Sequence, residues 1–267
     1  MEVHAHTHTA RKKWTHYFWE FLMLFLAVFC GFLAEYQLEH KIEHDRERAY
    51  MKGIVENLKY DIIRCTINAK LNMENGLGLD SFRTELKNAI AGQVNANALY
   101  YYYLRYSELN EAAFNISTIS ELKNSGSLRL IRNKKIVADL ADYYERKIYA
   151  ARDYYPSKDQ QDALQKTKNQ FFSMVALDDY VNSYNSINET NYTNNYNYQD
   201  LLTHQPALQL LTTNSKDLEI LFTQLSQFEI KVKQYNFWLS QCKKAAEKLI
   251  ADIQEAYHLS EGTPLEK

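Results

Sequence analysis

The sequence predicts an all-α protein in which one N-terminal transmembrane helix continues into a stalk and is followed by an antiparallel helical bundle. Three observations predict this class. The 267 residues include only seven Gly and three Pro, so few positions interrupt a helix. One apolar segment near the N-terminus is long enough to cross a membrane. The last long segment repeats apolar residues at the 3,4 spacing of a buried helix face.

The apolar stretch from Tyr17 to Ala34 forms the predicted membrane span. Its 18 residues contain one charged side chain, Glu20, and as a helix they extend about 27 Å, near the thickness of the hydrocarbon layer. Aromatic side chains stand at both ends of the stretch, as is typical of the two membrane interfaces. We therefore assign residues 1–13 to a cytoplasmic tail and 14–36 to the transmembrane helix.

The orientation follows from the basic residues Arg11, Lys12 and Lys13, which directly precede the span, whereas the far flank mixes both charges. Such an excess of Lys and Arg places the N-terminus in the cytoplasm and the body outside it. A cleaved signal peptide is the competing interpretation. Because bulky Phe32 stands two residues before Ala34, where cleavage needs a small residue, we expect the helix to be retained.

Glu20 is the one discordant residue of the span. An ionisable group at membrane depth is costly, so it either reaches toward the headgroups beside Lys13 or His16, or it faces a partner helix or bears a proton. Ala27 and Gly31, four residues apart, form a pair of small residues that would allow a second helix to approach. These three residues are the candidate site for helix–helix contact or proton binding.

The charged run 35–48 contains no Gly or Pro, so the transmembrane helix is predicted to continue as a stalk. Apolar residues then recur at helical spacing from Met51 to Cys65 and give a packing face. The run Asn75–Gly78 is the first predicted stop. Asp80 and Ser81 are the predicted N-cap of a second helix, which carries Tyr100 to Tyr103 and ends near Ser107.

The middle of the chain predicts shorter helices. A short helix at 120–123 ends in a turn at Asn124–Gly126, and Asn133 caps a longer helix. The inner face of that helix comprises Ile136, Leu140, Tyr143 and Tyr144. It breaks near Pro156, resumes through Gln170 and ends around Leu177. The Asn- and Tyr-rich tract at 182–198 is predicted to be an exposed loop.

The last helix carries the strongest periodicity. Its apolar residues resemble a coiled-coil seam that packs either within the chain, on the helix after Asn133, or across a homo-oligomer. Extra apolar residues beside the seam favour an intramolecular bundle, assigned to 37–258, with a flexible tail at 259–267. The seam residues are Leu218, Leu221, Leu225, Phe228, Val232, Tyr235, Leu239, Cys242, Ala246, Leu249, Ile253 and Ala256.

Composition and motifs argue against nucleic-acid binding, metal binding and catalysis. The formal charge of −2 gives no positive electrostatic field that would attract nucleic acid. The 21 Tyr suit half-exposed seams between helices better than ligand stacking. His4, His6 and His8, and the pair His40 and His44, lack further metal ligands. A bridge between Cys65 and Cys242 is left open. With no catalytic motif we expect no enzyme, no cofactor and no metal.

Two segments resemble an uncharacterised family of bacterial single-pass membrane proteins, a domain of unknown function. They are the aromatic-Glu-apolar start Tyr17–Phe21, and the element Thr118–Ile131 leading into Leu140–Tyr144. The span departs from the family because it is richer in Phe and lacks the usual Val-Ile-Gly run, and the resemblance covers about half the chain. It implies a membrane-anchored helical protein and no activity, since none is established for the family. Together with the orientation given by Arg11 to Lys13, we expect a protein of the bacterial inner membrane with its body in the periplasm.

These observations favour a membrane-anchored scaffold or accessory subunit of an envelope complex. Its expected partners are the lipid bilayer and a protein or second copy bound through the transmembrane or last helix. The alternative is an extracytoplasmic ligand-binding sensor. Because a 13-residue tail holds no output domain, such a sensor would need a partner in the membrane.

Overall fold

A computed structural model describes residues 14–106, 109–178, 198–203 and 207–259. These residues form helices and connecting segments without a strand, which confirms the all-α class. Residues 182–197 of the predicted loop lie outside the described residues, and Tyr198 begins a 3-10 turn, Tyr198–Thr203. The helices are α1 (Trp14–Ile90), α2 (Ala96–Arg105), α3 (Ser117–Asn124), α4 (Lys134–Ala141), α5 (Ile148–Tyr154), α6 (Lys158–Lys168) and α7 (Ser215–Tyr257).

Helix α1 runs for 77 residues without interruption, so the predicted stop at Asn75–Gly78 is wrong. The helix ends instead at Ile90, and just beyond it Gly92 adopts φ 89° and donates its N–H to the Ala89 carbonyl at 3.0 Å. Gly78 serves packing, because a Cβ added there would lie 2.0 Å from Cγ of Tyr106. Asn95, rather than Asp80 or Ser81, caps the next helix.

Helices α1 and α7 form an antiparallel pair along the whole body. Asn236 of α7 donates to the Ala69 carbonyl of α1 at 3.4 Å, and Arg83 of α1 pairs with Glu229 of α7. The spaced apolar residues of α7 from Leu218 to Ile253 are all buried, whereas Ala256 is exposed. Their main neighbour is α1, and not the helix after Asn133, because α1 alone is long enough to follow the full seam.

The hydrophobic core has two parts, which follow one another along the α1–α7 pair. The part nearer the N-terminal end of α1 joins α1 residues 51–65 to the second half of α7, with α3, α4 and α5 closing it. The far part joins α1 residues 79–89 to the first half of α7, with α2, Phe171 and Phe172. Leu109 contacts both parts. The body is therefore one elongated bundle built on two long helices.

Most of the short helices begin and end close to the predicted capping and turn residues. Gly126 adopts φ 68° after α3, a 3-10 turn follows at Ser127–Leu130, and Asn133 caps α4 by accepting from the Lys135 and Ile136 amides. A π-helical turn, Asp142–Lys147, joins α4 to α5. Helix α6 ends at Lys168, so its predicted run through Gln170 is wrong: leaving the helix there lets the adjacent Phe171 and Phe172 both enter the core.

An extended segment, residues 109–116, is held along α1 by buried polar side chains. Asn72 donates to the Asn110 carbonyl and accepts from its amide, both at 3.0 Å. Farther along, Asp61 accepts from the Asn115 amide at 2.7 Å and from the Tyr143 hydroxyl at 2.8 Å. The two contacts are compatible in spacing. Asn110 to Asn115 spans five extended residues and Asp61 to Asn72 spans eleven helical residues, and both intervals advance by about 16 Å.

Candidate functional site: the membrane span and its junction with the bundle

The N-terminal part of α1 stands free of the body. From Trp14 to Arg46 no side chain is buried, and large apolar residues such as Phe21 and Leu24 are about two thirds exposed. By length and composition this is one helix apolar enough to cross a membrane, and none of its apolar window is buried. An exposed apolar surface of this extent marks a membrane or protein contact. Arg11, Lys12 and Lys13 lie outside the described residues.

Glu20 lies near the start of this span with half of its side chain exposed. His16, one turn earlier, places Nε2 3.5 Å from the Glu20 carboxylate, in keeping with the expected i,i+4 neighbour. Ala27 and Gly31 are both exposed, and a Cβ on Gly31 would meet nothing within 4 Å. At about 100° per residue, Glu20, Ala27 and Gly31 fall on one face of the helix.

The body begins at Glu47, the first buried residue of α1. Its carboxylate accepts from the Arg132 amide at 2.8 Å and from the Tyr257 hydroxyl at 2.6 Å. Burial and the adjacent Glu47 charge raise the pKa of Tyr257 above its ordinary value, so this hydroxyl remains a donor. One carboxylate thus joins the stalk to the segment after α3 and to the end of α7.

Helix α3 and the turn after it run back along α1 toward the span. Asn57 donates to Ser117 at 3.3 Å, and Tyr50 donates to Glu121 at 3.1 Å. Farther down, the Arg132 guanidinium lies 3.4 Å from Nδ1 of His40. The turn at 125–130 is therefore the part of the body closest to the membrane span.

A groove of about 560 Å³ separates this turn from the stalk. One wall is the face of α1 from Glu35 to Arg46, and the other comprises Ser125, Ser127, Arg129 and Leu130. The walls mix carboxylates, guanidinium groups and the apolar side chains of Leu38 and Ile42. This groove begins one residue beyond the apolar stretch.

The cysteines and histidines offer no reactive centre in the described part of the chain. Cys65 and Cys242 are free thiols within the same core, and burial raises the pKa of both, that of Cys242 to about 12. The described residues contain no group of three ligands suited to a metal ion. His40 packs edge-on against Tyr36. His4, His6 and His8 lie outside the described residues.

A second cavity, of about 420 Å³, lies between α6 and α7. Its lining includes Pro156, Leu164, Phe228 and Ile230, together with three glutamines, and Lys231 is the one charged residue among them.

Two carboxylates of α1 were not singled out by the sequence analysis, namely Glu47 and Asp61. Both fall on the 3,4 repeat of the apolar face, with Glu47 four residues before Met51 and Asp61 three residues after Leu58. A charged residue on an apolar repeat is the signal that would have found them.

Comparison with known proteins gives no match: no family model, no curated protein and no solved structure is similar to this chain.

Proposed function

We propose that this protein is a single-pass membrane-anchored helical scaffold, or an accessory subunit of an envelope complex. The observation that carries the proposal is the uninterrupted course of α1. The same helix supplies the exposed apolar span and one side of the body core, and Glu47 ties the stalk to α7. Such a helix holds the body at a fixed distance from the bilayer, which suits a structural role.

The proposed location is the bacterial inner membrane, with the N-terminus in the cytoplasm and the body in the periplasm. The basic triplet Arg11 to Lys13 supports this orientation. The resemblance of Tyr17–Phe21 and Thr118–Ile131 to the uncharacterised bacterial family supports the compartment, and we propose membership of that family.

The proposed protein partner binds through the membrane span. Glu20, Ala27 and Gly31 share one exposed face, whereas the seam of α7 is covered by α1. This contrast favours the span over the last helix as the surface for a partner or a second copy.

The sensor alternative has one observation in its favour, the cavity between α6 and α7. Its volume is within the range of small-molecule sites. Its lining offers one charge and no ionisable acid, so it provides little to orient a polar ligand. The scaffold proposal therefore stands first.

Replacing Glu20 by leucine is expected to remove a specific membrane partner from the detergent-solubilised complex. The reason is that a carboxylate at membrane depth is retained only where a polar neighbour compensates its cost. The measurement is affinity purification of the tagged full chain, with quantitative mass spectrometry of what copurifies. Glu56→Leu is the matched control, because Glu56 is on the same helix, similarly exposed and beyond the span. An unchanged partner list for Glu20→Leu would remove Glu20 from the interface.

A cysteine introduced at Lys70 is expected to react with a membrane-impermeant thiol reagent while the inner membrane is intact. Lys70 is exposed on the body, whereas Cys65 and Cys242 are buried and do not compete for the reagent. The measurement is the mass of the labelled chain from spheroplasts before and after lysis, with the unsubstituted chain as control. Labelling only after lysis would place the body in the cytoplasm and contradict the orientation.

A further inference from the structure

The groove between the stalk and the turn at 125–130 contains charges of both signs that do not pair. Three carboxylates line it on α1, those of Glu35, Glu39 and Glu43, and the Arg46 guanidinium lies at the end of this wall farthest from the span. Arg129 lines the opposite wall, is exposed, and forms no ion pair with any residue in the described ranges. Most basic residues nearby differ: Lys123 pairs with Glu145, and Lys135 pairs with Asp252. A fixed groove that keeps opposite charges apart is suited to a ligand that carries both.

The end of the groove nearest the span lies at the depth of the lipid headgroups. Ala34 is the last residue of the apolar stretch, and Glu35 to Glu39 follow within about 8 Å along the helix axis. The headgroup layer on each side of a bilayer is about 5 to 8 Å thick. Glu35 therefore places the near end of the groove in this layer, and Arg129 lines the opposite wall of the same groove.

The chemistry of the walls matches a phospholipid with an amine headgroup. A guanidinium binds phosphate through paired hydrogen bonds, and carboxylates bind an ammonium group. The exposed side chains of Leu38 and Ile42 add apolar surface to the α1 wall between these carboxylates. A purely anionic headgroup would satisfy Arg129 but would meet repulsion from the three carboxylates.

We infer that this groove binds the headgroup of a zwitterionic phospholipid, with the phosphate on Arg129 and the ammonium between Glu35 and Glu39. The inference rests on the proposed membrane span, because it needs Ala34 to mark the membrane surface. Lipid binding there fixes the turn at 125–130 on the bilayer and sets the height of the body above it.

The test is native mass spectrometry of the full chain released from detergent with added phosphatidylethanolamine or phosphatidylglycerol. The unsubstituted chain is expected to bind phosphatidylethanolamine more tightly. Arg129→Glu is expected to weaken that binding by about fivefold, the effect of one basic residue at a lipid surface, while Arg129→Lys retains most of it. Lys70→Glu makes the same change of charge about 54 Å from Ala34 and is expected to have no effect.

Two results would overturn the inference: equal binding of the two lipids, or equal loss in Arg129→Glu and Lys70→Glu. A dye on Cys30, an exposed cysteine within the span, separates this failure from failure of the proposed function. Quenching of that dye in liposomes by acyl-chain spin labels, without a preference for phosphatidylethanolamine, overturns the headgroup site alone. Absence of quenching overturns the span and the headgroup site together.

Discussion

Replacing Gly78 by alanine is expected to destabilise the body by about 2 kcal/mol, although alanine is the better helix former. The added methyl group would lie 2.0 Å from Cγ of Tyr106. That ring cannot simply swing aside, because it packs against the rings of Tyr101 and Tyr102 with centroids 6.1 Å away in both cases. The measurement is urea unfolding of the detergent-solubilised chain, followed by far-ultraviolet circular dichroism.

Gly76→Ala is the matched control for this prediction. It lies two residues away in the same helix, and a Cβ there would meet nothing within 4 Å. Only the higher helix propensity of alanine then acts, so the unfolding free energy of this variant is expected to rise by about 1 kcal/mol. Equal effects of the two substitutions would show that Tyr106 does not pack on Gly78.

Replacing Asp61 by alanine is expected to cost about 3 kcal/mol of unfolding free energy, because it leaves buried hydrogen-bond donors without an acceptor. The carboxylate is fully buried and accepts from the Tyr143 hydroxyl at 2.8 Å and from the Asn115 amide at 2.7 Å. Losing the bond to Asn115 also frees one end of the extended segment, while Asn72 still holds Asn110 to α1. The measurement is the same urea titration, and a cost below about 1 kcal/mol, the usual net value of one hydrogen bond, would contradict the assigned role.

The same residue makes stability depend on pH. Burial raises the pKa of Asp61 from 3.8 to about 6, against the opposing effect of its hydrogen bonds with Asn115 and Tyr143. The folded chain therefore holds this proton more tightly than the unfolded chain, and the part of the stability that comes from this tighter proton binding is lost as pH rises from about 4 to about 6. Asp61→Asn, which does not titrate, is expected to show a smaller decline over that interval. Parallel pH profiles for the two proteins would exclude Asp61 as the titrating group.

The two long helices were predictable to different degrees because their buried faces differ in chemistry. The face of α7 is apolar almost throughout, so its spacing was visible from Leu218 to Ile253. The face of α1 keeps the same spacing beyond Cys65, but there it is built of Asn68, Asn72 and Asn75. Polar side chains on a buried face look like surface residues in a sequence. A stop was therefore predicted where the helix continues.

Tyrosine shows the same limit. Its amphipathic side chain predicted half-exposed positions, yet Tyr100, Tyr143 and Tyr235 are fully buried. Each buried hydroxyl has a partner distant in sequence: Tyr143 donates to Asp61, Tyr235 accepts from the Ala112 amide, and Tyr100 donates to the Gln209 carbonyl. Local pattern does not reveal such partners. The groove between the stalk and the turn at 125–130 was not predicted for the same reason, since its walls are at least 79 residues apart in the chain.

The uninterrupted course of α1 also sets the angle around the helix axis between the face of Glu20 and the body. Glu47 follows Glu20 by 27 residues, or about seven and a half turns, so the body and the face of Glu20 lie on opposite sides of the helix. The exposed Ile63 and Ile67 return to within about 20° of Glu20. A neighbour that meets Glu20 in the proposed span can thus run along the side of α1 that faces away from α7. One side of α1 is covered by the rest of its own chain, and the side that carries Ile63 and Ile67 is exposed and available to a partner.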